Sequence, residues 1–186
     1  MRVPVMTLPG ANSDAELERQ VLERLKWLKF GALERGVQVL LRSEGFREVT
    51  IVGNMHWRGR SRFGGLDIRG WLPSAAGRLF TIVQVKQPEP GLKIQRRFVD
   101  ELRGVMDRIA AARALIVTTG QFSKPAIEAA AMYPRKPVRL ISGRQLAKLM
   151  VKNCVGVRVK PLILSGRLPE LVLDELFFER LEELAP

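Results

Sequence analysis

Residues 64–86 read GGLDIRGWLPSAAGRLFTIVQVK, and a hairpin is the simplest reading of them. Two strands, Leu66–Leu72 and Arg78–Lys86, are expected around the turn-rich Pro73–Ser74–Ala75–Ala76–Gly77. The second strand runs LFTIV, apolar at every position except Thr81, so both of its faces should be covered. It then changes character. Gln84 and Lys86 lie two apart and share one face of the strand, while Val83 and Val85 share the other. A buried strand that ends in polar side chains can place chemistry at the edge of a sheet. Asp67 stands in the neighbouring strand, after two glycines that leave room for a close approach to the backbone.

The chain has 186 residues, 46% hydrophobic and 27% charged, which predicts one globular domain with appendages. No apolar run approaches the roughly 18 residues needed to span a membrane. The first residues, MRVPVMTLPGANSD, are broken by two prolines and do not read as a signal peptide, so a cytoplasmic location is expected. Cys154 is the only cysteine and His56 the only histidine. Together they cannot build a zinc site or a disulfide, so any metal must be held by oxygen ligands, which favours magnesium or manganese. Lys and Arg number 31 against 19 Asp and Glu, giving a net charge of +12. That balance points to a polyanionic partner, for which nucleic acid is the simplest candidate.

Upstream of the hairpin, Ser13–Asp14–Ala15–Glu16 reads as a capping box. It opens a helix with Leu17, Val21, Leu25 and Leu28 on one stripe, ending near Phe30–Gly31. A second helix is expected over Ala32–Ser43, with Leu33, Val37, Leu40 and Leu41 apolar, Glu34 bordering that stripe, and Gly45 as its stop. Phe46–Val52 reads as a strand. The loop that follows, Asn54–Arg62, alternates Arg58, Arg60 and Arg62 with small residues after Trp57, a composition suited to phosphate contacts.

Downstream, Gln87–Pro88–Glu89–Pro90–Gly91 is a linker. A helix over Ile94–Ala112 should bury Phe98, Leu102, Val105, Met106 and Ile109, with Arg96, Arg97, Arg103 and Arg108 off that stripe. Ala114–Thr118 is a buried strand, followed by a helix capped by Ser123 with Pro125 in its first turn. Val138–Ile141 is a further strand, and Ser142–Gln145 is a capping box opening a helix to about Asn153. Strands alternating with helices at these spacings predict an α/β layer fold with parallel strands in its second half. From Pro161 onward two basic residues face six acids. Leu173, Phe177, Leu181 and Leu184 there predict an acidic helix starting near Pro169, docked on the helix over 14–28 or on a second copy.

The hairpin's acid followed by Gln-x-Lys resembles the PD-(D/E)xK nuclease pattern, in the D…QxK form of Mrr-like restriction endonucleases. The flanking runs extend the resemblance: ALERGVQVLLRSEGF, GGLD and VQVK, then FVDELRGVMDRIAAARALIVTTGQFSKPAIEAA and LISGRQLAKLM, in that order. It covers about Gly31 to Val159. The resemblance implies a restriction-endonuclease-like mixed β-sheet flanked by helices, with extra helices at both ends. The expected divisions are an N-terminal helical extension over 1–30, a nuclease domain over 31–160 and an acidic tail over 161–186. It further implies that Asp67 binds the metal, that Gln84 takes the place of the second acid, that Lys86 is the catalytic lysine and that Glu34 completes the metal set. Family members often carry an acid before the paired glycines, where this chain has Phe63. The expected activity is magnesium- or manganese-dependent cleavage of DNA by a homodimer, without an organic cofactor or a membrane, with Lys93, Arg96 and Arg97 joining the loop arginines on DNA. Alternatives are a catalytically quiet DNA-binding module on the same fold and a junction-resolvase-like nuclease.

Overall fold

The computed structural model describes residues 11–52, 65–75, 77–160 and 170–185. Two helices come first, α1 (Ala11–Lys26) and α2 (Phe30–Ser43), then strands β1 (Arg47–Ile51), β2 (Ile68–Ser74) and β3 (Gly77–Lys86). Next come β4 (Lys93–Ile94), α3 (Arg96–Ile109), β5 (Arg113–Thr118), β6 (Gln121–Phe122), α4 (Lys124–Ala131), β7 (Val138–Ile141) and α5 (Gly143–Lys152). The chain finishes with β8 (Val157–Lys160), β9 (Glu170–Leu173) and α6 (Glu175–Glu183). Among the described residues no helix is long and apolar enough to cross a membrane.

The central sheet has the order β1-β2-β3-β5-β7. Its first three strands are antiparallel neighbours, whereas β3, β5 and β7 run parallel, as the strand–helix alternation predicts. Alternation along the central strands divides the core in two. Val83, Val85, Leu115 and Val117 pack under α1, α2, α5 and α6. Ile82, Ala114 and Ile116 pack under α3 and α4. Residues 81–85 are all buried, so β3 is covered on both faces.

The local expectations hold unevenly. The Ser142 box forms as read, with Ser142 and Gln145 each taking the other's backbone amide. Ser123 caps α4 by accepting from Ala126 N, and β7 has the expected bounds. At the N-terminus α1 starts at Ala11, which puts Ser13 inside the first turn and rules out the expected capping box. Glu16 instead accepts from Arg19 at 2.6 and 2.9 Å and from Gln20 at 3.1 Å. That helix also stops at Lys26, four residues early. The amide of Trp27 turns back to Arg24 O, and the Gln87 side chain takes the carbonyls of Lys26 and Leu28.

The hairpin turn is tighter than its composition suggests: Ser74 pairs with Gly77, and Pro73 lies within β2 opposite Arg78. Pairing with β1 ends at Trp71, so Pro73 borders β3 alone and its missing N–H interrupts no inner ladder. In α3 the inward face is Val99, Leu102, Arg103, Val105 and Met106, not the stripe through Phe98 and Ile109, which are half-buried. Arg103 is buried rather than off the stripe because its Nη2 donates to Ala129 O at 2.6 Å and Ala130 O at 3.1 Å, closing the C-terminal carbonyls of α4.

The C-terminal expectation needs the larger correction. Residues 170–173 are not helical but form β9, antiparallel to β8, and α6 begins only after Asp174, whose carboxylate accepts from Phe177 N. The buried stripe is consequently Phe178 and Leu181, with Phe177 half-buried, while Leu184 is exposed. These side chains join Leu17, Val21, Leu25, Leu33 and Val37 in one core. Arg24 of α1 reaches Glu175 at 3.1 Å and Glu182 at 3.2 Å.

Candidate active site

Asp67, Gln84 and Lys86 lie where β2 and β3 leave the sheet core; Asp67 is close enough for its charge to act on Glu34 of α2 and to feel that of Lys86, and Gln84 lies against Gly65. Asp67 precedes β2 but is held as a strand residue would be: its N–H donates to Val83 O at 3.0 Å, and its carbonyl accepts from Val52 N at 2.7 Å. Its carboxylate accepts a 2.6 Å hydrogen bond from Val85 N. That bond fixes Asp67 against the strand that carries Gln84 and Lys86. The backbone can turn here because Gly65 has φ +84, a conformation that side chains disfavour. A Cβ at Gly65 would lie 2.2 Å from Gln84 Nε2, so the missing side chain makes room for the Gln84 amide.

Gln84 is buried, and its Oε1 has no hydrogen-bond partner. A buried carboxamide oxygen left without a donor costs about 1–3 kcal/mol, which makes it an open acceptor in a polar site. Glu34, on the inner turn of α2, is also buried. Its pKa is pushed up to about 7, first by burial and then by the Asp67 charge, with Arg35 pulling slightly the other way. Asp67 is raised to about 6 by burial, against the opposing pull of the Val85 amide and of Lys86. Burial opposes ionisation of both carboxylates, and the Asp67 charge further opposes that of Glu34. Among the described residues no group of three His, Cys, Asp or Glu that could hold a metal ion exists.

Lys86 is half-buried at the end of β3, its Nζ 4.9 Å from the centre of the Phe98 ring. Arg97 lies over the same ring at 4.8 Å. Phe98, read from the sequence as a core residue of α3, is thus a platform for two cations, and nothing in its spacing announced that role. Arg96 and Lys93 are exposed, Arg96 paired with Asp100 at 3.1 Å. Arg58, Arg60 and Arg62, with His56, Trp57 and Phe63, lie outside the described residues. Sequence reasoning also missed the Val85 amide as the group that orients Asp67, since a backbone donor leaves no mark in composition.

No curated protein matches the chain. Among solved structures, the DNA modification-dependent restriction endonuclease AspBHI matches with a TM-score of 0.54 and 20% identity over 81% of this chain. MspJI restriction endonuclease, in complex with a 27-mer oligonucleotide, matches with a TM-score of 0.49 and 23% identity over 83% of this chain. The chain spans 38% of the length of the first and 36% of the second. The likeness to AspBHI supports the fold. A family model described as restriction endonuclease, for the Mrr-type catalytic domain, matches residues 22–150. This chain therefore belongs to the restriction endonuclease family.

Proposed function

We propose that this domain is a divalent-metal-dependent DNA endonuclease of the Mrr type, with magnesium or manganese as the cofactor. The observation that carries the reading is a pair of buried acids, Glu34 and Asp67, whose ionisation burial opposes, with the Asp67 charge also raising Glu34, together with the partnerless oxygen of Gln84 on the adjoining strand. Glu34, Asp67 and Gln84 would hold the metal. When bound, such an ion supplies Lewis-acid stabilisation of the phosphate and a water that ionises at neutral pH.

The chain's own residues do the rest. Asp67, anchored by Val85 N–H, presents one carboxylate oxygen in a fixed direction. Gln84 adds an oxygen without a charge, so the site asks for two ionised carboxylates rather than three. Lys86, resting on Phe98, places a positive charge where charge develops on a phosphodiester in the transition state. Lys93, Arg96 and Arg97 would hold the strand's phosphates along the approach to Lys86, joined by Arg58, Arg60 and Arg62. Cutting both strands of a duplex needs two such sites, so the working form is a homodimer or a pair assembled on DNA.

A magnesium-dependent plasmid-nicking assay tests the reading. Asp67→Ala and Lys86→Ala should each abolish cleavage while far-ultraviolet circular dichroism and DNA binding persist. A wild-type cutting rate in either variant would show the assignment to be wrong.

A further inference from the structure

Next to this site the surface opens into a cleft of about 850 Å³. Its walls are the loops that follow three parallel strands, Pro88–Lys93 after β3, Thr119–Gln121 after β5 and Ser142 with Arg144 after β7, closed by the end of α1. Ligands of open α/β sheets sit outside the carboxyl ends of strands, as this cleft does. Glu34, Asp67, Gln84 and Lys86 do not line it, yet its wall begins at Pro88, two residues past Lys86.

Two apolar residues of the cleft are left in water, Trp27 at 80% exposure and Leu92 at 59%. One exposed apolar side chain is ordinary, but two lining a single concavity mark a contact surface. The backbone beneath Trp27 is held from both sides, because Gln87 Nε2 donates at 2.9 Å to the carbonyls of Lys26 and of Leu28. The indole is thus carried on a fixed mount that is tied to the residue after Lys86. Lys93 and Arg144 add positive charge, and neither makes an ion pair among the described residues. Of the other charges on the wall, Lys26 is paired with Glu23 at 2.8 Å, and Glu89 is exposed.

An aromatic face with apolar walls and two cations is the chemistry that recognises a nucleotide: a flat heterocycle carrying a phosphate. We propose that the cleft takes one unstacked nucleotide, its base on the Trp27 indole and its phosphate by Lys93 and Arg144. The inference deepens the nuclease reading and rests on it for the preferred source, an unpaired residue of the DNA strand entering the site. A free nucleotide shares the same chemistry.

The test is run in EDTA, with no cleavage in the readout, so that it is independent of the metal site. Anisotropy of a labelled single-stranded oligonucleotide gives its Kd, and competition with deoxyadenosine monophosphate gives that of a free nucleotide. Trp27→Ala should weaken binding roughly 5- to 150-fold, the fold-change equivalent of about 1–3 kcal/mol for one stacked base. Trp27→Phe should stay within a few-fold of wild type, and the melting temperatures of both should match it. Arg144→Ala should lower the magnitude of the log–log salt slope by about 0.7, one single-strand phosphate contact. A Trp27-dependent affinity for the oligonucleotide alone identifies the strand as the source, and one shared by the monophosphate identifies a free nucleotide. Either supports the pocket. Wild-type affinity in Trp27→Ala, a Trp27→Phe as weak as Trp27→Ala, or no binding of either probe to wild type overturns it. Failure of the plasmid assay alone would sink the nuclease reading and leave this result standing.

Discussion

Gln84 decides the character of the site, because it holds a buried acceptor open at the cost of a hydrogen bond. Gln84→Glu would put a third carboxylate beside Glu34 and Asp67. Without metal that variant should melt lower than wild type, and calorimetric titration with magnesium should show tighter binding. Equal metal affinities would mean that Gln84 does not touch the ion. The two acids make a further statement about pH. Both pKa values are raised in the fold, Glu34 to about 7 and Asp67 to about 6, from 4.5 and 3.8. Between about pH 4 and 7 the folded protein therefore holds more protons than the unfolded chain, and stability falls as pH rises through that window. Below it both states are protonated and nothing is lost. Glu34→Gln removes about half of this effect. Urea unfolding in EDTA should show it more stable than wild type by about 1–3 kcal/mol at pH 8 and indistinguishable at pH 4. Magnesium at a hundred times its Kd should return about 2.7 kcal/mol to the wild type at pH 8.

Among the elements, those with a signal of their own were legible and those made by pairing were not. The box at Ser142, the cap at Ser123 and the apolar run of β5 each carry their information within a few residues. The pairs β4–β6 and β8–β9 do not, because each of these strands is made by the segment that pairs with it. Phe177 and Phe178 are adjacent, and only the start of α6 at Glu175 decides which of them faces inward. Arg103 was misread for a similar reason, since an arginine at a core position is explained only by the α4 carbonyls that it meets. Within the candidate site, strand alternation put Gln84 and Lys86 on one face, periodicity alone gave Glu34 no more than a border position, and the roles of these residues and of Asp67 came from the family resemblance. The docking of α6 is open to direct test. Deleting residues 166–186 removes Phe178 and Leu181 from the larger core and the partners of Arg24. The melting temperature should fall while the mass in solution stays that of the full chain's assembly less the tail. A change from dimer to monomer would instead place the tail at an interface.

For the molecule as a whole the net charge of +12 predicts DNA affinity that depends steeply on salt. Neutralising ~6 phosphates gives a log–log slope of roughly −5, and replacing Arg58, Arg60 and Arg62 by alanine should flatten it. An affinity indifferent to salt would refute the electrostatic account. Helix α6 carries Glu175, Glu179, Glu182 and Glu183, and two of these carboxylates are occupied by Arg24, 151 and 158 positions away in sequence. That separation has a consequence for how the protein is made. On a ribosome adding 5–20 residues per second, α1 emerges roughly 8–30 s before the helix that covers it has been synthesised. During that interval the leucine and valine faces of α1 and α2 are without their lid, available to a holding chaperone or to a neighbouring nascent chain. A chain cut short before α6 is left without that cover.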